Sequence, residues 1–182
     1  GESFGYQLPR TAPMLAMLPA YEDSSSGSQC WSDPTRWGPL SGSIVHTSYS
    51  LCRGFYVMID NVGSYPNGFA CRLPFEFESG AMRARVNPVD GQVYILCYKG
   101  WDSKAQVDGM IYRIRSTGEP CHLVTSASVI KQGLRFTFGA DLDPNSVTTE
   151  NISVFRFSDN KSADSVQQVI GKVSMPQPDT ID

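Results

Sequence analysis

Residues Met82 to Pro120 read MRARVNPVDGQVYILCYKGWDSKAQVDGMIYRIRSTGEP, and this stretch decides the fold. An alternating apolar run is followed by the turn residues Asn87-Pro88-Val89-Asp90-Gly91 and by a second apolar run. After a polar loop comes a third run, from Met110 to Arg115. Short apolar runs separated by such turns predict antiparallel strands that are joined in sequence order. The stretch therefore predicts a β-meander.

The same pattern continues on both sides and predicts an all-β chain built of antiparallel meanders. We predict seven strands in its first part, at 29–32, 43–49, 53–59, 68–75, 81–86, 92–98 and 110–115. Turn-forming residues separate them, such as Asp33-Pro34 and Pro66-Asn67-Gly68. The first four strands would form one complete unit and the last three most of a second. The missing outer strand of the second unit would come from the N-terminal segment or from a partner.

The chain is expected to divide into three parts, 1–21, 22–120 and 121–182. The first is a Pro-rich extended tether, in which an apolar island too short for a stable helix lies between prolines. The second holds the seven strands. The third carries four further candidate strands, at 123–130, 134–138, 152–157 and 166–173.

Composition sets outer limits on the class of protein. In 182 residues, 41% hydrophobic and 18% charged side chains suffice for a globular core. The net charge of -3, with dispersed cations, disfavours nucleic acid as a partner. No apolar run reaches the roughly 18 residues of a transmembrane segment. A signal peptide is not visible at the start, so we expect it to be absent or already removed.

Five cysteines, Cys30, Cys52, Cys71, Cys97 and Cys121, are spread through the predicted strands without a C-x-x-C pair. This spacing excludes the usual zinc clusters and the haem attachment motif. We therefore predict no metal and no cofactor. Buried free thiols are the favoured state, and one disulfide between neighbouring strands is the alternative, particularly in an exported protein.

The chain offers no recognisable catalytic constellation, and we predict no catalytic residues. His46 and His122 are the only histidines. His122 and the adjacent Cys121 would point to opposite faces of a strand, which disfavours a thiolate–imidazolium pair. No nucleophile elbow, P-loop or dinucleotide motif is present.

Acidic residues in two places have ordinary structural interpretations. Asp141, Asp143 and Asn145 alternate as in a calcium loop, but the glycine and glutamate of an EF-hand are missing, which favours an Asx-capped turn. In Phe75-Glu76-Phe77-Glu78 the acids would lie on the solvent face of a strand. We expect them to pair with Arg83 and Arg85 on the next strand.

Aromatic and apolar residues beside the predicted loops are the candidates for binding a partner. Tryptophan side chains anchor protein interfaces and also stack on sugar rings, whereas packing between strands is the alternative. The predicted partner-binding residues are Met14, Leu15, Met17, Leu18, Trp31, Trp37 and Trp101.

Four segments carry a resemblance to a known family: SSSGSQCW, RWGPLSGSIVHTSYS, SGAMRARVNPVDGQVYILCYKGW and DGMIYRIRSTGEP. Together they resemble the last β-propeller blades of exported bacterial proteins similar to quinone-dependent glucose/sorbosone dehydrogenases. Downstream, GLRFTFGADLDPNSVTTENISVF resembles the opening of bacterial Ig-like domains of the S-layer type. A complete sandwich of that type has about 100 residues, so the segment here would be abbreviated.

The resemblance implies about two propeller-like blades, whereas a closed propeller has about 4 to 8. It also implies a periplasmic or extracellular location. With most of the ring missing, the expected function is that of a non-catalytic binding or structural accessory subunit with a protein partner, for example on the periplasmic side of a membrane electron-transfer complex. One alternative is the C-terminal fragment of a dehydrogenase-like enzyme. The other is a carbohydrate-binding module, with a sugar as ligand.

Overall fold

The computed structural model describes residues 15, 16, 18, 22–61 and 66–148, together with the backbone of 155–157 and 166–168. These residues contain eleven β-strands and two short 3₁₀ turns, and no α-helix occurs among them. The predicted all-β class is therefore confirmed. The strands form antiparallel meanders and hairpins, as the alternating apolar runs indicate.

The first sheet consists of β1 (Ser26–Trp31), β2 (Ile44–Ser48), β3 (Arg53–Asp60) and β4 (Asn67–Glu76). Its strands follow each other in sequence order, so it is a four-stranded antiparallel meander. The tight turn between β2 and β3 places Cys52 at a φ of 53°, in the left-handed region. The central strand β3 is buried on both faces, because its side chains alternate between two covered surfaces.

The second sheet consists of β5 (Gly80–Val86), β6 (Val93–Tyr98) and β7 (Gly109–Ile114), again in sequence order. The predicted turn after β5 is present. The Asn87 side chain accepts a hydrogen bond from the backbone N–H of Val89 at 3.0 Å, and Gly91 has a φ of 71°. Turn chemistry thus fixes the register of β5 on β6.

The two sheets share one hydrophobic core. Their first strands, β1 and β5, lie against each other, and the backbone N–H of Ala84 donates to the Ser28 hydroxyl at 2.7 Å. The core residues include Val45, Tyr56, Met58, Leu73 and Phe77 from the side of the first sheet, and Ala84, Val93, Ile95 and Cys97 from the second sheet.

A hairpin of β8 (Val124–Ile130) and β9 (Gly133–Phe138) contacts β3. The backbone N–H of Val129 donates to the Asp60 carboxylate at 3.2 Å, and the rings of Phe69 and Phe136 meet edge to face. By its contacts the chain divides into two compact units, Gly1–Gly139 and Ala140–Asp182. The hairpin belongs to the first unit, so the boundary predicted at residue 120 falls before it.

Within the second unit, Asp143 begins a 3₁₀ turn over Pro144–Ser146, and its carboxylate accepts the backbone N–H of Asn145 at 2.9 Å. This geometry confirms the predicted Asx-capped turn. Two three-residue strands, β10 (Phe155–Phe157) and β11 (Val166–Gln168), pair antiparallel.

The five cysteines carry free thiols, as the sequence analysis favours. Cys52 and Cys97 are buried, and the other three are half-buried. Burial raises the pKa of the Cys97 thiol to about 12, because a thiolate would lose its hydration there.

Candidate functional site

One surface of the second sheet combines exposed apolar and cationic side chains. Alternation along the strands turns every second residue away from the core. We call this surface the outer face; it consists of Arg83, Arg85, Tyr94, Leu96, Tyr98, Ile111 and Arg113.

The centre of the outer face is apolar. Leu96 on β6 lies directly opposite Ile111 on β7, and these side chains are 50% and 70% exposed. Tyr98, two residues further along β6, is 53% exposed. Contiguous exposed apolar side chains on a folded domain mark interaction surfaces more often than single ones do. This cluster is therefore a candidate contact surface for another protein.

Arginines flank the apolar centre on both sides. Arg83 is the β5 partner of Leu96, and Arg85 and Arg113 both lie opposite Tyr94. Arg83 donates to the carbonyl of Met82 at 3.1 Å, and Arg85 to that of Ala84 at 2.8 Å. In the described part of the chain, none of the three forms an ion pair with a carboxylate. The outer face thus offers cationic side chains beside apolar surface, and the Asp90 carboxylate lies close enough to Arg113 to interact with it electrostatically.

Trp101 lies at one end of the outer face. Its backbone carbonyl accepts a hydrogen bond from the Tyr49 hydroxyl at 3.1 Å, and the Tyr49 ring stacks on Tyr98 with centroids 6.3 Å apart. The preceding residue, Gly100, packs closely against the Tyr98 ring. The indole of Trp101 itself is 86% exposed. Of the predicted partner-binding residues, this one adjoins the outer face.

Leu15 and Trp31, two other predicted partner-binding residues, lie beside and on the first sheet, respectively. Leu15 is half-buried, and its carbonyl accepts the backbone N–H of Gly68 at 2.7 Å, at the outer strand β4. Leu18 is also half-buried. Trp31 is 58% exposed and lies on β1, the opposite outer strand of that sheet. Met14 and Met17 lie outside the described residues.

Trp37 has only 4% of its surface exposed and belongs to the shared core. Its indole N–H donates to the carbonyl of Ile114 at 3.1 Å. The structure therefore does not gather the three tryptophans into one site.

An apolar groove lies beside Trp37. It has a volume of about 160 Å³ and is lined mainly by Leu40, Leu73–Phe75, Ile114 and Leu123, with Arg115 and Glu119 also present. Sites for small molecules usually measure about 300 to 1,000 Å³ and contain several converging polar groups. The groove is smaller than such a site, so it ranks below the outer face as a binding surface.

A nearly buried Asp23–His46 pair lies on the first sheet. The Nε2 of His46 is 2.7 Å from a carboxylate oxygen of Asp23, and its Nδ1 accepts from the Gln29 amide at 3.2 Å. Ser26 donates to the same Asp23 oxygen at 2.8 Å. Both ring nitrogens of His46 thus have protein partners, and only 7% of the residue is exposed. These hydrogen bonds join the segment before β1 to β1 and β2.

The expected pairing of Glu76 and Glu78 with Arg83 and Arg85 is wrong. Glu76 contacts Arg72 and Arg53, the latter at 3.1 Å, and Glu78 accepts from the Tyr112 hydroxyl at 3.3 Å. The reason is that β4 and β5 belong to different sheets and are not paired. Cys121 and His122 also differ from expectation, because they lie in the loop before β8 and not in a strand.

The sequence analysis missed the outer-face residues Leu96, Ile111 and Arg113. A signal was present, since β6 is apolar at every position from Val93 to Tyr98. Strands that are apolar on both sides are typically covered on both faces. In the described structure only the side of Val93, Ile95 and Cys97 is fully covered.

The described residues contain neither a cluster of potential metal ligands nor a helix that could span a membrane. No group of three or more histidine, cysteine, aspartate or glutamate side chains there is arranged to hold a metal ion. Among the same residues, no helix has the length and apolar character needed to cross a membrane.

In comparisons with known proteins, no family model, no curated protein and no solved structure matches this chain.

Proposed function

We propose that this chain is a non-catalytic, exported β-protein that acts as a binding or structural accessory subunit, and that it binds its protein partner through the outer face. The observation that carries the proposal is the apolar centre of Leu96, Tyr98 and Ile111 between arginines that form no direct ion pair with any described residue. Interfaces are enriched in aromatic residues and arginine, and their centres exclude water. The outer face has this composition.

The finer description of the fold belongs to the same proposal. The β1–β4 meander corresponds to one complete propeller-like blade, and β5–β7 to a second blade without its outer strand. Contact between β1 and β5, the first strands of the two sheets, supports this reading, because first strands of neighbouring blades meet at the centre of a propeller. The abbreviated Ig-like segment, the periplasmic or extracellular location and the electron-transfer complex rest on the sequence resemblance.

The alternative function is that of a C-terminal fragment of a quinone-dependent sugar dehydrogenase-like enzyme. The exposed apolar centre of the outer face also favours this alternative. A blade whose neighbouring blade is missing would leave such a face uncovered. In either case we expect the purified chain to show no substrate-dependent dye reduction with pyrroloquinoline quinone and calcium. Two blades do not enclose the preorganised cavity that such chemistry needs. Activity under these conditions would contradict the accessory role.

The binding role is tested by co-purification of the full chain from cells that produce it. Leu96→Lys and Ile111→Lys place an ammonium group in the apolar centre, while Val89→Lys is a matched control. Val89 is 84% exposed and lies in the turn between β5 and β6, away from the apolar centre. Thermal unfolding of each variant checks that the fold is retained.

We expect the wild type and Val89→Lys to form the same stoichiometric complex. The two outer-face variants should bind at least about 30-fold more weakly, because loss of a central contact costs about 2 kcal/mol or more. Equal recovery of the partner by all four proteins would refute the assignment of the outer face.

A further inference from the structure

The hydrogen-bond register shows which backbone groups of β7 are unused. The N–H of Asn87 donates to the carbonyl of Gln92 at 3.0 Å, so the even-numbered residues of β6 direct their backbone groups toward β5. At the other end of β6, the N–H of Lys99 donates to the carbonyl of Asp108 at 2.7 Å. The odd-numbered residues of β6 and the even-numbered residues of β7 therefore bond to each other.

It follows that Gly109, Ile111 and Arg113 direct their N–H and C=O groups away from β6, at the open edge of the sheet. In the described part of the chain, no backbone hydrogen bond to these three residues exists on that side. The outer strand of the first sheet differs from β7 in this respect. At the corresponding outer strand of the first sheet, β4, the N–H of Gly68 is bonded to the carbonyl of Leu15.

Unpaired edge groups are a template for another strand, and proteins usually shield them. We propose that β7 pairs with an extended strand of a separate protein partner, which carries an acidic residue opposite Arg113 and an apolar residue opposite Ile111. This inference rests on the proposed binding function and identifies the kind of partner. It is an instance of strand addition, in which backbone bonds supply affinity and alternate side chains supply specificity.

The cross-strand rows of the sheet determine the chemistry of the added strand. One row runs from Arg85 through Tyr94 to Arg113, so the next position in it lies beside a cation that forms no direct ion pair in the described part of the chain. The Asp90 carboxylate, which accepts from the Tyr94 hydroxyl at 2.8 Å, interacts with Arg113 beyond ion-pair distance. An aspartate or glutamate in that next position would form a direct ion pair with Arg113. The neighbouring row runs through Leu96 to Ile111. An apolar residue of the added strand, in the next position beside Ile111, would extend the apolar centre.

A second copy of this chain fits the edge less well. Pairing β7 with β7 would place two arginine-bearing outer faces side by side on one continuous sheet. That arrangement adds like charges instead of neutralising them, so we infer that a different protein occupies the edge.

A synthetic peptide serves as the probe for this edge. The capped sequence Ser-Glu-Val-Ile-Val-Thr places its glutamate opposite Arg113 and its isoleucine opposite Ile111 when it adds antiparallel. A matched peptide has lysine in place of glutamate. Binding to the full-length chain is followed by amide hydrogen exchange and chemical shifts measured by NMR.

We expect the glutamate peptide to slow exchange at the amides of Gly109, Ile111 and Arg113, while the amides of Met110 and Tyr112 keep their exchange rates. The lysine peptide should bind at least about tenfold more weakly, and Arg113→Glu should reverse this preference. Equal binding of both peptides would overturn the proposal. Protection of the three edge amides without any peptide would also overturn it, because a second copy or another segment of the same chain would then occupy the edge.

Two variants at one position separate the backbone from the side chain. Ile111→Thr and Ile111→Pro both remove the isoleucine side chain, but only proline also removes the outward N–H. Ile111→Pro should bind the glutamate peptide at least about tenfold more weakly than Ile111→Thr. If the two variants bind equally, strand addition is wrong. Strand addition can fail on its own. If the Lys substitutions at Leu96 and Ile111 still abolish the cellular complex, the outer face binds the partner by side-chain contacts instead of by strand addition.

Discussion

Replacing Gly27 by alanine tests how closely the two sheets approach. Gly27 lies on β1 where that strand meets β5, and its φ is outside the left-handed region, so alanine adds no backbone strain. A Cβ there would overlap the carbonyl oxygen of Ala81 and the hydroxyl of Thr47, and would lie 3.0 Å from the carbonyl oxygen of Met82. Two of these three obstacles are backbone atoms, which cannot rotate away.

The expected loss of stability follows from these contacts. Thr47 is fully buried, and its hydroxyl accepts the backbone N–H of Ser28 at 2.8 Å, so shifting it breaks a buried hydrogen bond. Overpacking of a core costs about 1 to 3 kcal/mol, and a lost hydrogen bond about 1 kcal/mol more. Gly27→Ala should therefore lower the free energy of unfolding by about 2 to 4 kcal/mol. For a unit of this size, that corresponds to a fall in Tm of about 6 to 16 °C.

The assay is urea unfolding followed by far-UV circular dichroism, with Gly109→Ala as the matched control. Gly109 also has an ordinary φ, and the nearest atom to an added Cβ is the carbonyl oxygen of Cys97 at 3.4 Å. The control should stay within about 0.5 kcal/mol of the wild type. The close approach of β1 and β5 would be refuted if Gly27→Ala were as stable as the wild type, or if Gly109→Ala lost as much.

Three further perturbations probe buried groups. Trp37→Phe removes the indole N–H that binds the carbonyl of Ile114, and chemical denaturation should show a loss of about 1 to 3 kcal/mol. Asp23→Ala leaves the Nε2 of the nearly buried His46 without its carboxylate, which should cost about 1 to 3 kcal/mol in the same assay; an unchanged midpoint would contradict the pair. Burial raises the pKa of Cys97 from 9.0 to about 12, so the unfolded chain loses this proton at a lower pH than the folded protein does. The resulting stabilisation is complete below pH 9 and is lost as the pH rises toward 12, so Cys97→Ala should lose stability less steeply than the wild type between pH 8 and pH 11 in urea titrations.

The positions of the strands were predictable because they depend on local pattern. In β6, four of six apolar residues are valine, isoleucine or tyrosine, which have high strand propensity, and a turn precedes them. This combination has few alternatives to an extended conformation. The Asx turn at Asp143 is equally local, since its hydrogen bond spans two residues. Local signals of this kind do not depend on the rest of the chain.

The environment of each side chain was harder to predict, because it depends on contacts distant in sequence. Trp37 and Trp101 both adjoin a glycine, yet the first is 4% exposed and the second 86%. The difference arises because Trp37 reaches the carbonyl of Ile114, a residue 77 positions away. The pairing of Glu76 with Arg53 and Arg72, instead of with Arg83, likewise depends on which strands share a sheet.

The two sides of β6 separate folding from binding. Val93, Ile95 and Cys97 point into the core, where their burial stabilises the isolated chain. Leu96 and Tyr98 on the opposite side remain about half-exposed, so most of the free energy available from removing them from water is realised only when another surface covers them. Because alternation assigns the two roles to neighbouring residues, substitutions at the inward positions should change stability first, whereas those at the outward positions should change complex formation with little effect on unfolding.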